Sequence, residues 1–256
     1  MTAPRGSLIL VPNTLDFGIA AEAPDVRDVL PMSAIRTAAR LTHWVAENAK
    51  TTRAFLKRID AVVPLAQPLQ TLAIIELPRP QKGVRGGAPA ADLSALLAPA
   101  LQGIDVGLIS EAGLPAVADP GAALVQAAHA AGIRVIALPG PSSLLLALAA
   151  SGLNGQSFAF VGYLPVESAE RAARIRELEA LSRRANQTQL MIETPYRNEA
   201  LLGALLAHLQ PATRLSVSCG LTMPGAFTRT DSIQGWKARP LALSAAVPAV
   251  FSLLAP

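Results

Sequence analysis

The chain has 256 residues, 51% of them hydrophobic and 16% charged, and its 22 Lys and Arg against 18 Asp and Glu give a formal net charge of +4. That composition excludes intrinsic disorder and allows one large core or two smaller ones. Aromatic residues at 4% argue against a broad base-stacking platform, and the single cysteine, Cys219, excludes an intrachain disulfide and any zinc site built on several cysteines. The small positive balance permits a polyanionic partner without requiring one.

In chain order, the apolar run SLILVPN at residues 7–13 stops at Pro and Asn, which predicts a buried strand; the run is too short for the core of a signal sequence. Residues 33–60 predict a helix, a short strand around residues 43–46, and a second helix from about residue 51. TLAIIELP predicts another strand. The Pro-, Gly- and cation-rich PRPQKGVRGGAPA reads as an exposed loop. ADLSALLAPALQG predicts a helix with Asp92 as a plausible cap. IDVGLIS and IRVIALPG are two further buried strands, with a helix over about residues 121–131 between them. Strands alternating with helices point to a mainly parallel, doubly wound sheet.

Beyond about residue 155 there are more strands per helix. SFAFVGYLP, QTQLMIETP, TRLSVSCGLT, AFTRTDSIQGW and AVPAVFSLLA predict strands. Residues 167–184 and NEALLGALLAHLQ predict helices. This pattern implies a mixed sheet. The fold expected is two α/β domains, residues 1–154 and 155–256, with the boundary near residues 154–157. The uncharged tail reads as a buried strand because Pro248 interrupts a run already too short to span a bilayer. A soluble, cytoplasmic protein is the expectation.

Two loops hold the candidate chemistry. ISEAGLPAVADPG and LPGPSS each follow a predicted strand, where ligands bind in open α/β sheets. Gly113 lets backbone approach a ligand closely. Asp119 and Pro120 read as helix punctuation, with Asp119 as N-cap. Ser142 and Ser143 stand at a helix start as caps or ligand donors. Neither a dinucleotide fingerprint nor a phosphate-binding loop is present. His43, His129 and His208 lack ligand spacing, so no metal site is expected. Sparse acid–base machinery suits a reaction that depends on positioning, methyl transfer among them.

VGLISEAGLPAVADPGAALVQAAHAAGIRVIALPGPSS, followed by ASGLNGQSFAFVGYLP, resembles the tetrapyrrole methylase superfamily. It is most similar to the branch that 2′-O-methylates a cytidine of small-subunit ribosomal RNA. MIETPYRN resembles that branch's E-x-P-x-R segment, and VAENAKTTRAFLKRI its E-D-T-R-x-T segment through Glu47 and Arg53. VPNTLDFG keeps Pro12 of the first loop but not the branch's glycine–asparagine pair. The G-x-G-P-G-D of the tetrapyrrole-modifying branches is missing.

The resemblance implies a homodimer whose S-adenosylmethionine lies in a cleft between two α/β domains. Pro12, Ser110, Glu111, Ala112 and Gly113 would cradle it, with Ser142 and Ser143 lining the same pocket. Backbone at Ile192, Glu193, Leu221 and Thr222 would hold the adenine. Glu111 is the candidate base, and Arg53, Tyr196 and Arg197 are candidate RNA contacts. Arg36, Arg40, Lys50, Lys57 and Arg58 add to a basic first region, read either as a solvated helical face or as an RNA footprint. A tetrapyrrole or other small-molecule acceptor, or a non-catalytic cofactor-binding protein, are the alternatives.

Overall fold

The computed structural model describes residues 5–16, 24–78 and 93–256. The chain divides into two compact units, Met1–Pro141 and Ser142–Pro256. The expected loop over PRPQKGVRGGAPA and the Asp92 cap fall largely outside the described residues.

In the first unit, β1 (Ser7–Leu10), β2 (His43–Ala46), β3 (Ala73–Glu76), β4 (Val106–Ile109) and β5 (Arg134–Ala137) form one sheet in the order β3-β2-β4-β1-β5, every pair parallel. Its helices are α1 (Val26–Val29), α2 (Met32–Arg40), α3 (Ala49–Asp60), α4 (Ser94–Leu101) and α5 (Ala122–Ala130). A parallel sheet covered on both faces needs strands that are apolar throughout, which is why these segments read as continuous hydrophobic runs. Ile9, Trp44 and Ile109 pack with Ile35 of α2 and Phe55 and Leu56 of α3; Leu8, Val45 and Leu108 pack on the opposite face with Leu97 of α4 and Leu124 of α5. Gly107 makes room for the Trp44 indole, since a β-carbon there would lie 2.7 Å from its Cε3.

β1 and β4 are neighbours, yet the helices that follow them lie on opposite faces of the sheet. Such a reversal opens a crevice at the carboxyl ends of the two strands.

The second unit comprises α6 (Ser143–Ser151), β6 (Phe158–Phe160), α7 (Ser168–Ala185), β7 (Thr188–Glu193), α8 (Asn198–His208), β8 (Arg214–Cys219), β9 (Phe227–Ser232), α9 (Ile233–Ala238) and β10 (Ala249–Leu254). The sheet order is β6-β7-β10-β8-β9, with β6 and β7 parallel and the other pairs antiparallel, hence mixed as expected. The apolar tail is its central strand, buried along its whole length. Among the described residues no helix is long and apolar enough to cross a membrane.

Two local readings change. AFTRTDSIQGW is not one strand: Ser232 ends β9 and caps α9, its Oγ accepting from the Gly235 N–H at 3.0 Å. The division between units falls ahead of residues 154–157. Helix α6 belongs to the second unit because Leu144, Ala147 and Leu148 pack on Leu190 and Val250, and the Thr230 hydroxyl donates to the Ser151 carbonyl at 2.8 Å.

Candidate cofactor and substrate site

At the carboxyl edge of the first sheet, the loop after β1 is tied to the loop after β4. Asn13 and Gly113 form an antiparallel bridge, with the Asn13 N–H donating to the Gly113 carbonyl at 2.9 Å. The Asn13 side chain, 4% exposed, donates through Nδ2 to the carbonyls of Ser110 and Glu111 at 3.0 Å each, and its Oδ1 accepts from the Thr14 N–H at 2.8 Å. The loop after β5 closes on the same place, since a β-carbon on Gly140 would collide with the Pro12 ring. The structure thus brings Pro12, Ser110, Glu111, Ala112 and Gly113 together. Asn13, the residue that clamps them, escaped the sequence reading; its one signal was an amide side chain directly after the strand-ending proline.

Gly113 has φ +66°, a left-handed conformation that glycine takes without strain. The Ser110 hydroxyl is buried with no hydrogen-bond partner. Burial of an unmatched hydroxyl costs about 1–3 kcal/mol, so a ligand atom that pairs with it gains that much in return.

The same edge concentrates negative charge. Glu47 follows β2, and its Oε2 accepts from the Glu111 N–H at 3.1 Å. Burial pushes the Glu47 carboxyl above its ordinary range; the Glu111 N–H opposes that shift, and the Glu111 carboxylate reinforces it. Asp119 does not cap α5, contrary to expectation. Gly121, at φ +132°, occupies the N-cap position without a side-chain bond. Burial, reinforced by repulsion from Glu47 and Glu111, pushes Asp119 up to about 7. Between Glu111 and Asp119, Ala116 and Ala118 both hold φ +65°, a strained conformation for alanine.

In the second unit, Ser142 is the N-cap of α6 but makes no side-chain capping bond, and Ser143 opens the helix. Ile192 and Leu221 pack against the apolar cluster of Leu144, Ala147, Leu148, Leu190 and Val250, so these candidates share one neighbourhood with the start of α6. The Ile192 N–H already donates to the Gly162 carbonyl at 3.2 Å and is not available to an adenine. Thr222 combines φ +67° with a buried hydroxyl that has no hydrogen-bond partner; it shares the unpaired hydroxyl, though not the backbone conformation, with Ser110. Glu193 is buried; its Oε2 pairs with Arg197 at 2.9 Å and its Oε1 accepts from the Thr194 N–H at 2.8 Å. Arg197 is therefore committed within the protein, whereas Tyr196 beside it is 74% exposed.

The basic residues separate into three kinds. Arg40 pairs at 2.7 Å with Asp105, which lies just ahead of β4 at the amino edge of the sheet, away from the loops. Arg58 is held by Asp16 and Thr14, each at 3.1 Å, so it is a structural residue and not part of a solvated face. Lys50, Arg53 and Lys57 are exposed on α3 at i, i+3 and i+7, hence on one helical face. Among the described residues no group of His, Cys, Asp and Glu could hold a metal ion.

A doubly wound parallel sheet with a strand-end crevice and a buried, unpartnered hydroxyl at that edge has the architecture of ligand-binding α/β proteins. The comparisons then narrow it. Residues 28–234 match the family of tetrapyrrole (corrin/porphyrin) methylases, and this chain belongs to that family. A ribosomal RNA small subunit methyltransferase I from Mesorhizobium japonicum is 39% identical over 139 residues, 54% of this chain and 46% of that protein. A protein of the same name from Halalkalibacterium halodurans is 30% identical over 188 residues, 73% of this chain and 58% of that one. The matches thus span about half the length of these relatives. The solved uroporphyrin-III-C-methyltransferase from Thermus thermophilus shares the fold, with a TM-score of 0.51 at 20% identity over 98% of this chain and 94% of that one.

Proposed function

We propose that this chain is an S-adenosylmethionine-dependent methyltransferase that 2′-O-methylates RNA, specifically ribosomal RNA. The observation that carries the cofactor reading is the Asn13-clamped loop, which leaves the Ser110 hydroxyl buried and unpaired beside a left-handed Gly113. Such a cradle suits a compact polar ligand held by backbone and hydroxyl groups. In the second unit Thr222 likewise has a buried hydroxyl without a partner.

In this reading Pro12 and Ser110 to Gly113 are the cofactor-binding residues of the first unit. Ser142, Ser143, Ile192, Glu193, Leu221 and Thr222 are the second-unit contacts, with Ile192 acting through groups other than its N–H. When bound, the cofactor supplies an electrophilic methyl group. The residues of this chain fix its orientation and keep the acceptor oxygen in line, which is where most of the rate gain in such a transfer arises.

RNA as acceptor is supported by the names of the relatives and by the Lys50, Arg53 and Lys57 face of α3. Tyr196 is the exposed candidate for a ribose or base contact. The test is methyl transfer from labelled S-adenosylmethionine to unmodified small-subunit ribosomal RNA, with binding followed across salt concentrations. Arg53→Ala with Lys57→Ala should flatten the log–log salt slope by roughly 1.4, from about 0.7 per phosphate contact on a single strand. A slope that stays unchanged removes α3 from the interface.

The same reading makes the chain a cytoplasmic homodimer. The exposed apolar side chains of Phe158, Tyr163 and Val166, clustered in sequence around β6, support an association surface. Sedimentation at micromolar concentration should give the mass of a dimer; a clean monomer would remove it.

A further inference from the structure

The carboxylates at the carboxyl edge of the first sheet differ in what surrounds them. Beyond the last residue of β4 the backbone keeps its strand alternation as far as Ser110 and loses it at Glu111, whose carbonyl turns to the Asn13 side chain like that of Ser110. The Leu108 carbonyl accepts from Val11 and the Ile109 carbonyl from Glu47; then the Ser110 carbonyl accepts from Asn13, and the Glu111 N–H donates to Glu47. Side chains alternate in step. Ser110 therefore points to the Leu108 face, which α4 and α5 cover.

The segment leading into α5 lies directly over the Leu108 face, because a β-carbon on Gly121 would touch Leu108 Cδ2 at 3.0 Å. Asp119 sits in that segment. The unpartnered Ser110 hydroxyl, on a residue only 3% exposed, thus lies on the face of the sheet over which this segment runs.

We propose that Asp119 accepts the proton of the hydroxyl that is methylated, with Glu47 and Glu111 as positioning residues at the same edge of the sheet. The proposal rests on the methyltransferase reading above. In the step, the acceptor oxygen forms its new bond to the methyl carbon while the electron pair of the broken carbon–sulfur bond stays on sulfur. The hydroxyl proton passes to an Asp119 carboxylate oxygen, so charge and atoms balance. Ser110 donates to the acceptor or to the cofactor at the same place.

Among the described residues, the charged groups that act on Asp119 are Glu47 at the end of β2 and Glu111 at the end of β4. Asp16, in the loop after β1, is paired with Arg58, and the first turn of α5 carries no acidic residue. No cation or hydrogen bond offsets the repulsion among the described residues. A carboxyl at about 7 is matched to proton uptake near neutral pH, where an ordinary aspartate is too weak a base.

The test uses the full chain, labelled S-adenosylmethionine and unmodified small-subunit ribosomal RNA under single-turnover conditions. The wild-type rate should rise with pH through an inflection near 7 and level off above it. Asp119→Asn should lose about a hundredfold or more in rate yet still bind the cofactor by calorimetry. Glu47→Gln should move the inflection to lower pH by removing one repelling charge.

Stability gives a control. With its folded value raised from 3.8 to about 7, Asp119 makes the native state bind more protons than the unfolded state, so its contribution falls as pH rises across that window. Asp119→Asn should therefore melt at or above wild type at pH 8. The proposal is overturned by an Asp119→Asn enzyme of wild-type rate, by an inflection that Glu47→Gln leaves in place, or by a lower melting point for Asp119→Asn at pH 8. It also fails if Glu111→Gln abolishes transfer while Asp119→Asn retains it. A wild-type chain that binds no S-adenosylmethionine or methylates no RNA would instead sink the methyltransferase reading itself.

Discussion

Gly113→Val is expected to abolish S-adenosylmethionine binding while leaving the protein folded. The space around Gly113 is not the obstacle: an added β-carbon would meet Leu15 Cδ2 at 3.4 Å and the Pro141 carbonyl at 3.7 Å, both ordinary contacts. The obstacle is φ +66°, which a β-branched residue resists. The strain of a non-glycine residue there is of order 1–3 kcal/mol. The loop relieves it by breaking the bridge to Asn13, whose side chain also holds the Ser110 and Glu111 carbonyls. Every backbone group of the cradle then shifts together. Calorimetry should show affinity reduced by about a hundredfold or more, equivalent to roughly 2.7 kcal/mol, with far-ultraviolet circular dichroism unchanged. Gly113→Ala should fall between, because alanine tolerates the left-handed region better than valine. Wild-type affinity in a folded Gly113→Val protein would show that the loop does not hold the cofactor.

Trp236→Ala is expected to cause the largest loss of stability, about 3–5 kcal/mol. Trp236 is fully buried in α9, donates from Nε1 to the Leu215 carbonyl at 2.8 Å, and carries the Arg229 guanidinium 4.0 Å from its ring centroid. Truncation leaves a cavity against Leu215, Val217 and Phe251 and strips β8 of a partner for one carbonyl. A loss of that size is a large fraction of the 5–15 kcal/mol typical of a folded protein. Denaturant unfolding should show the midpoint of the second unit falling sharply. Trp236→Phe, which keeps much of the volume but not the hydrogen bond, should cost less. A loss below about 1 kcal/mol for Trp236→Ala would mean that α9 contributes little to this core.

Much of the fold was legible in the sequence. The buried parallel strands stand out because both faces of that sheet are covered, so SLILVPN, IDVGLIS and IRVIALPG read as unbroken apolar runs. The tail read as a strand, and it is the centre of the second sheet. AFTRTDSIQGW was misread because the helix that follows β9 is short and starts on a serine cap, with no polar linker to mark the change. The unit boundary was misplaced because composition records where helices and strands change proportion, whereas a boundary follows which sheet a helix packs against. For α6 that is the second sheet.

By itself the sequence determined the two-unit α/β class and the family resemblance, because both rest on local order: runs of apolar residues, and motif segments read along the chain. It also marked the strand-end loops that are proposed to hold the cofactor, since strand ends carry their own signature of Gly, Pro and small polar residues. The tertiary structure decided what each polar residue does there. Asn13 became a clamp, Arg58 an internal partner of Asp16, and Arg197 a partner of Glu193, while Asp119 turned from an expected helix cap into a carboxylate beside Glu47 and Glu111. These roles depend on desolvation and on charges brought close from strands far apart in sequence. Neither quantity exists until the sheet places Glu47 and Glu111 side by side.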